Sequence, residues 1–143
     1  MNKINCSKID RFLDGQRFGY KCALSEIRNG HKVNHWIWYV FPQLKGLGHS
    51  PNSMYYGIDG IQEAKEYVNH PILGFRIKEI SSVLLEHAGK EIETIMPGID
   101  AVKLKSCMTL YDHICPYDVY AQVLNTFFKG ERDQLTLSML REP

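Results

Sequence analysis

Apolar side chains recur every three or four residues along most of this chain, and no other feature of the sequence restricts its fold as strongly. The pattern is clearest between Pro116 and Gly130, where apolar residues come in neighbouring pairs. The pairs are Val119 and Tyr120, Val123 and Leu124, and Phe127 and Phe128. An α-helix turns once in about 3.6 residues, so this spacing places all three pairs on one face. The pattern predicts a helix that Gly130 terminates.

The N-terminal part of the chain predicts an interrupted helix. Ser7 has the spacing of a capping box with the acidic residue three positions later, which predicts a helix start near Lys8. Gly15 and Gly19 have low helix propensity. We therefore expect a break or kink before Tyr20.

The same period predicts four more helices. Their expected limits are Ile61 to His70, Pro71 to Gly89, Asp100 to Pro116, and a short last segment after Asp133. Asp100 and Asp133 are the expected N-caps, because their carboxylates can accept hydrogen bonds from the first free backbone N–H groups of a helix.

The aromatic run from Trp36 to Phe41 is ambiguous. Its residues favour a strand by propensity, but a lone strand has nothing to pair with, so a short buried helix is the better prediction. The glycine-containing segment from Pro42 to Asp59 shows little periodicity and predicts a long loop, where binding residues are often found.

Size and charge limit the function classes. With 143 residues, 44% of them hydrophobic, the chain is expected to form one all-α domain. A net charge of +1 gives no overall field that would hold nucleic acid or an anionic membrane. The longest apolar run has six residues, far fewer than the roughly 20 needed to cross a bilayer. No signal peptide is recognisable, so we expect a cytoplasmic protein.

Metal and cofactor motifs are missing from the sequence. The cysteines are Cys6, Cys22, Cys107 and Cys115, and no two form a C-x-x-C pair. His31 and His35 are four residues apart but lack the glutamate that a zinc peptidase requires. We predict no metal and no cofactor. We expect Cys107 and Cys115 to be small buried hydrophobic residues.

The richest candidate site surrounds the aromatic run. It combines bulky rings, an amide and glycines that allow backbone N–H groups to approach a ligand. Its candidate ligand-binding residues are His35, Trp36, Trp38, Gln43, Gly46, Gly48, Ser50 and Tyr56. In the alternative reading the aromatics belong to the core and the glycines only form turns. Gly46 and Gly48 do not complete a nucleotide-binding fingerprint.

A second candidate site is the start of the helix at Asp100. Lys103, Ser106 and Thr109 fall on one side of this helix, near its free N–H groups, where a phosphate would be attracted. In the alternative reading both hydroxyls bond to the helix backbone. Arg76 and the preceding His70-Pro71 pair form a third, weaker candidate site. The alternative is that Arg76 pairs with an acidic side chain, as arginines in such positions usually do.

Three motifs in this order resemble domain-of-unknown-function family 1810. The motifs are His35-Trp36-x-Trp38-Tyr39-x-Phe41-Pro42-Gln43-x-x-Gly46-Leu47-Gly48-x-Ser50, His70-Pro71-x-Leu73-Gly74-x-Arg76 and Asp100-x-x-Lys103-Leu104-x-Ser106-x-Met108-Thr109-Leu110. The resemblance implies a small, bacterial, multihelical protein and supplies no activity. Cys107 departs from the serine of the family pattern. Some members are labelled calpastatin, but calpastatin inhibitory segments are disordered, unlike this composition.

Two hypotheses follow. In the first, the tryptophan segment and the lysine-bearing helix start meet to form a pocket for a nucleotide-like ligand derived from NAD or ADP-ribose. Gln43 would bond the edge of its ring, while Lys103 and Ser106 would bind phosphate. The layout also loosely resembles small helical domains linked to ADP-ribose metabolism, which extends the hypothesis to an N-glycosidic hydrolase. Asp100 and Ser106 are then the candidate catalytic residues. Whether the protein is an enzyme stays open.

The second hypothesis is a non-catalytic interaction module or homodimer. Trp36, Trp38, Tyr55 and Tyr56 would supply its aromatic face. The two hypotheses differ in exposure, because a pocket needs the aromatics to line a concave hollow and an interface needs them on a flat exposed surface.

Overall fold

The computed structural model describes residues 8–141, and within this range the fold is all-α. Nine helices form, and the only β-type pairing in this range is an isolated bridge. The helices are α1 (Asp10–Arg28), α2 (Ile37–Val40), α3 (Pro51–Tyr56), α4 (Gly60–Asn69), α5 (Pro71–Leu85), α6 (Ile92–Ile95), α7 (Ile99–Ile114), α8 (Val119–Phe127) and α9 (Gln134–Arg141). No helix of the described range combines the length and the apolar character needed to cross a membrane.

Helices α5 and α7 form the centre of the fold. Helix α5 packs against α1, α4 and α8, and α7 packs against α4, α8 and α9. The predicted apolar stripe of α5 is buried throughout. Its members are Leu73, Ile77, Ile80 and Leu84. Removing one such side chain from water contributes about 1.5–3 kcal/mol, so this stripe fixes α5 in the core.

The expected break in the first helix does not occur. Helix α1 runs without interruption through Gly15 and Gly19. These glycines leave a groove for the ring of Tyr39, because a Cβ on Gly15 would lie 2.7 Å from Tyr39 Cγ and a Cβ on Gly19 would overlap the Tyr39 hydroxyl. The glycines therefore serve close packing between α1 and α2, and the prediction of a kink was wrong.

The predicted short helix in the aromatic run is confirmed as α2. Its single turn leaves carbonyl groups without helical partners, and side chains from other helices satisfy one of them. The Tyr39 carbonyl accepts hydrogen bonds from Gln16 Nε2 at 2.7 Å and from the Tyr67 hydroxyl at 3.1 Å. Since Gln16 and Tyr67 are both buried, α2 is anchored from two sides.

Glu26 fixes the segment that enters α2. Its carboxylate accepts hydrogen bonds from the backbone N–H groups of Val33 and Asn34 and from the indole N–H of Trp36 at 2.8 Å. Partial burial raises the pKa of Glu26, but these hydrogen bonds outweigh burial and lower the pKa to about 2. The ionised carboxylate thus holds the chain where it turns toward Trp38.

The segment from Pro42 to Asp59 contains more structure than the predicted loop. It includes α3, and a parallel bridge joins Leu44 to Ile58. Ser50 caps α3, since its hydroxyl accepts a hydrogen bond from the Ser53 backbone N–H at 3.1 Å.

The two predicted aspartate caps have different outcomes. Asp133 accepts hydrogen bonds from the N–H and the hydroxyl of Thr136, as an N-cap of α9 does. Asp100 does not cap α7, because Gly98 occupies the N-cap position with a positive φ of 63°. The predicted Ser7 cap lies outside the described residues, as does Cys6.

Candidate functional site

Two adjoining hollows lie where α2 and the chain after it meet the first turns of α7. The inner hollow is lined by Trp38, Gln43, Ser53, Tyr56 and Lys103, with Ile37 among its apolar walls. The outer hollow shares Gln43 and Lys103 with it. It adds Gly48, Ser106 and Asp133. The structure thus brings the tryptophan segment and the lysine-bearing helix together, as the first hypothesis expects.

The inner hollow is small and lies against unpaired polar groups. The centre of a water molecule can occupy only about 10 Å³ of it, which is close to the minimum that holds one water. Trp38 Nε1 is buried and has no hydrogen-bond partner between residues 8 and 141. The side-chain amide of Gln43 also lacks a partner in that part of the chain. Donors are therefore available at its wall.

Lys103 supplies a positive charge at the junction of the two hollows. Its Nζ lies 5.1 Å from the centroid of the Trp38 ring, in a cation–π arrangement. The side chain is half-buried, and none of its neighbours in the described range forms an ion pair with it. On the same helix, Lys105 is paired with Glu131 at 3.3 Å. Lys103 therefore carries a charge that the described part of the fold does not neutralise.

The outer hollow is larger, and an acidic side chain, Asp133, is among its lining residues. Its volume by the same measure is about 140 Å³. The Asp133 carboxylate accepts hydrogen bonds from Thr136 and from the Ser106 hydroxyl at 3.2 Å. Lys103 and Asp133 do not form an ion pair with each other. The outer hollow is therefore lined by one positive and one negative side chain that are not paired with each other.

An apolar rim surrounds the outer hollow. Its residues are Leu47, Ile99, Val102 and Leu135. Three of them are unusually exposed for their type, with exposed fractions of 67% for Ile99, 58% for Val102 and 59% for Leu135. Clustered exposed apolar side chains around a polar centre are typical of binding sites.

A glycine keeps the two hollows open. A Cβ on Gly48 would lie 2.6 Å from Ser53 Oγ and 3.5 Å from Gln43 Nε2. Any larger residue would therefore push against the polar groups that line the inner hollow. That Gly48 admits a ligand stays a prediction.

Four predicted site residues line neither hollow. Trp36 is buried beneath Lys32 and bonded to Glu26. Asp100 forms an ion pair with Lys32 at 2.9 Å. His35 is exposed and lines neither hollow, while Ser50 caps α3.

Three more candidates also hold the fold elsewhere. Thr109 donates to the Lys105 carbonyl at 2.8 Å and accepts from the Asp133 N–H at 2.9 Å. Gly46 faces Met139 of α9. Arg76 bonds to Gln16 in a separate groove between α1 and α5. Apart from His35 and Gly46, these residues and the previous four share one feature: a structural contact already uses the group that was expected to meet a ligand.

The pKa of one aromatic hydroxyl bears on the charge of the site. Burial raises the pKa of Tyr56, and the neighbouring Tyr55 and Asp14 raise it further. The Tyr56 hydroxyl is therefore neutral near pH 7 and brings no negative charge to the inner hollow. Burial also raises the pKa of Cys107, which keeps this thiol protonated and inert.

Sequence reasoning missed two polar residues of the site. Ser53 lines the inner hollow, and no local motif distinguishes it from the other serines. Asp133 was predicted as a helix cap, but its position at the outer hollow depends on the packing of α9 against α7. The exposed apolar residues of the rim were a possible signal, since Ile99 and Val102 depart from the buried stripe of α7.

No group of three histidine, cysteine, aspartate or glutamate side chains in the described range is arranged to hold a metal ion. The polar groups of the inner hollow, an indole, an amide, hydroxyls and a lysine, suit an anion better than a cation.

Comparison with known proteins agrees with the fold. The family model described as "Protein of unknown function (DUF1810)" matches residues 6–140. The chain belongs to this family. A crystal structure at 1.38 Å of the conserved hypothetical protein Rv1873 from Mycobacterium tuberculosis is similar, with 35% sequence identity and a TM-score of 0.91. The similarity covers 94% of this chain and 97% of that one. No curated protein matches the chain.

The structural similarity supports the multihelical architecture, and the DUF1810 assignment leaves the activity open. The Mycobacterium tuberculosis protein is called a conserved hypothetical protein, a description that names neither a ligand nor a reaction. Any function for this chain must therefore be argued from its two hollows.

Proposed function

We propose that the protein binds a small nucleotide-like molecule in the outer hollow, with an anionic group of the ligand between Gln43 and Lys103. The observation that carries this proposal is Lys103, a half-buried cation without an acidic partner among the described residues, beside an unpaired amide. A partly buried charge is unfavourable unless it is paired. A bound phosphate or carboxylate would provide the missing partner.

The remaining surface of the hollow suits a ring with polar edges. The apolar rim offers a face for a ring, and the Asp133 carboxylate can accept a hydrogen bond from a ligand hydroxyl or amine. A base and a ribose carry these groups. Pockets for drug-sized ligands have volumes of about 300–1,000 Å³. The outer hollow, at about 140 Å³, therefore suits the monophosphate part of an NAD- or ADP-ribose-derived ligand better than a whole dinucleotide.

Neither the N-glycosidic hydrolase nor the aromatic interaction module is supported by a comparable observation. For a hydrolase, the candidate Asp100 is engaged by Lys32, and Ser106 donates to Asp133 and to the Val102 carbonyl. For an aromatic interface, Tyr55 alone of the four aromatics is largely exposed, at 59%. Binding of a small molecule is therefore the function that the site supports best.

Thermal unfolding with added ligands tests the proposal. The panel is adenosine monophosphate, nicotinamide mononucleotide, ADP-ribose and NAD, with adenosine as the uncharged control. A ligand at a hundred times its Kd stabilises the fold by about 2.7 kcal/mol, which is a shift of several degrees for a domain of this size.

Two lysine variants supply the matched comparison. Lys103→Met is expected to abolish the shift, because the ligand loses its counter-charge. Lys105→Met, on the same helix, removes a cation that is paired with Glu131 and lies over the Phe128 ring, and is expected to retain the shift. The proposal fails if no phosphate-bearing compound raises Tm, or if Lys103→Met and Lys105→Met respond alike.

A further inference from the structure

We infer that the indole N–H of Trp38 is a ligand-binding group, and that the inner hollow receives one oxygen atom of the ligand's carboxylate or phosphate. This inference deepens the proposed function and rests on it for the position of the rest of the ligand. It assigns the anionic group to a defined donor, which the charge of Lys103 alone does not do.

The two tryptophans of the chain differ in how their N–H groups are used. Trp36 Nε1 donates to the Glu26 carboxylate at 2.8 Å. Trp38 Nε1 is removed from solvent and has no acceptor anywhere in residues 8–141. Buried donors nearly always have a partner, because a donor withdrawn from water without one is unfavourable. The Tyr111 and Tyr120 hydroxyls are buried without a partner as well, but only Trp38 of the three lines the inner hollow, where a molecule from outside the protein can supply the acceptor.

The other groups around the inner hollow favour an anion as this acceptor. Lys103 Nζ lies 5.1 Å from the Trp38 ring centroid and brings a positive charge to the same wall. The Ser53 hydroxyl accepts a hydrogen bond from Ser50 Oγ at 3.0 Å, so its own proton is available for donation. No carboxylate lines the inner hollow. The indole, amide and hydroxyl donors, together with the lysine and without a carboxylate, suit an ionised oxygen of a ligand better than a neutral carbonyl oxygen.

The size of the inner hollow limits how much of the ligand enters it. Its volume for the centre of a water molecule, about 10 Å³, corresponds to a single oxygen atom. The other oxygens of a phosphate or carboxylate would remain beside Gln43 and Lys103, which line both hollows. Asp133, which lines only the outer hollow of the two, repels an anion. The ligand is thereby oriented with its anionic group toward Trp38.

Nuclear magnetic resonance of the two indole N–H groups tests this inference directly. The full chain, labelled with ¹⁵N, gives one indole signal for each tryptophan, and the variants Trp36→Phe and Trp38→Phe assign them. The protein is titrated with sodium phosphate and with sodium acetate, each against sodium chloride at equal ionic strength. The expected result is a saturable shift of the Trp38 signal with one or both anions, and no shift of the Trp36 signal.

The variants also provide an affinity test. Trp38→Phe keeps an aromatic ring beneath Lys103 and removes the N–H, so affinity for the anion that binds should fall at least tenfold. Trp36→Phe should lower the stability of the fold, since Glu26 loses a donor, and leave the affinity of the folded protein unchanged. A Trp38 signal that stays fixed at saturating anion overturns the inference, and so does a Trp38→Phe variant that binds as the wild type does.

Failure of this inference can be told apart from failure of the proposed function. If adenosine monophosphate raises Tm through Lys103 while the Trp38 signal does not move, the pocket stands and the role of Trp38 is refuted. If acetate or phosphate moves the Trp38 signal but no nucleotide raises Tm, the anion site stands and the nucleotide-like ligand is refuted. Comparison of the acetate and phosphate titrations shows which anion the inner hollow accepts.

Discussion

Gly15 gives the sharpest test of how α1 and α2 pack. Replacement of a glycine inside a helix by alanine normally stabilises a protein by about 1 kcal/mol. Here the added Cβ would lie 2.7 Å from Tyr39 Cγ and 3.2 Å from Tyr39 Cβ, well inside the usual carbon–carbon separation of about 3.5–4.0 Å. The clash involves the root of the side chain, so a simple rotation of the ring does not relieve it.

Movement of the Tyr39 backbone is also restricted, because its carbonyl is bonded to Gln16 and Tyr67. Overpacking of this kind destabilises by about 1–3 kcal/mol. After the gain in helix propensity is subtracted, Gly15→Ala should lower the free energy of unfolding by about 1 kcal/mol, or Tm by about 3 °C.

A double-mutant cycle separates the two effects. In a Tyr39→Ala background the clash is gone, so Gly15→Ala should stabilise the protein by about 1 kcal/mol. The same substitution thus changes sign, and the coupling between the two positions is about 2 kcal/mol. Urea unfolding at 25 °C measures all four proteins. A stabilising Gly15→Ala in the wild-type background would refute the view that this glycine exists to seat Tyr39.

Three further outcomes are expected. Glu26, whose pKa is lowered from 4.5 to about 2, stabilises the fold fully above pH 4.5 and loses that effect as the pH falls toward 2. The difference in unfolding free energy between wild type and Glu26→Gln should therefore be constant near neutrality and vanish near pH 2 in urea titrations at several pH values. Asp100→Asn should lower the free energy of unfolding by about 2 kcal/mol, because the buried Lys32 loses its acidic partner. Ligand affinity should stay unchanged. A loss of affinity in calorimetric titrations without a loss of stability would show that Asp100 contacts the ligand. Gly74→Ala places a Cβ against the Val68 carbonyl where α4 and α5 cross, so this variant should lack a cooperative thermal transition by circular dichroism.

The helices could be predicted because their signals are local. The apolar period of α5 and α8 depends only on residues within each helix, and both elements form close to the expected positions. The break at Gly15 was predicted wrongly for the opposite reason. The ring of Tyr39, which explains the glycine, comes from another element, and propensity does not register it.

The site shows the same division between local and distant causes. The sequence alone does not distinguish Trp36 from Trp38, but Trp36 is the N-cap of α2 and Trp38 lies within that helix. The Glu26 carboxylate accepts a hydrogen bond from Trp36, and Lys103 lies over the ring of Trp38. Asp100 and Lys103 likewise both lie in the first two turns of α7, yet only Lys103 lines the hollows. Which member of each pair faces a ligand is decided by packing between helices.

The central claim is that Lys103 and Gln43 hold an anionic ligand where α2 meets α7. A crystal structure of the protein grown with saturating adenosine monophosphate tests it most directly. The claim predicts phosphate density within hydrogen-bond distance of Lys103 Nζ and the Gln43 amide, with the ring on the apolar rim. Nucleotide density elsewhere on the surface, with Lys103 turned to an acidic side chain of the protein, would contradict it.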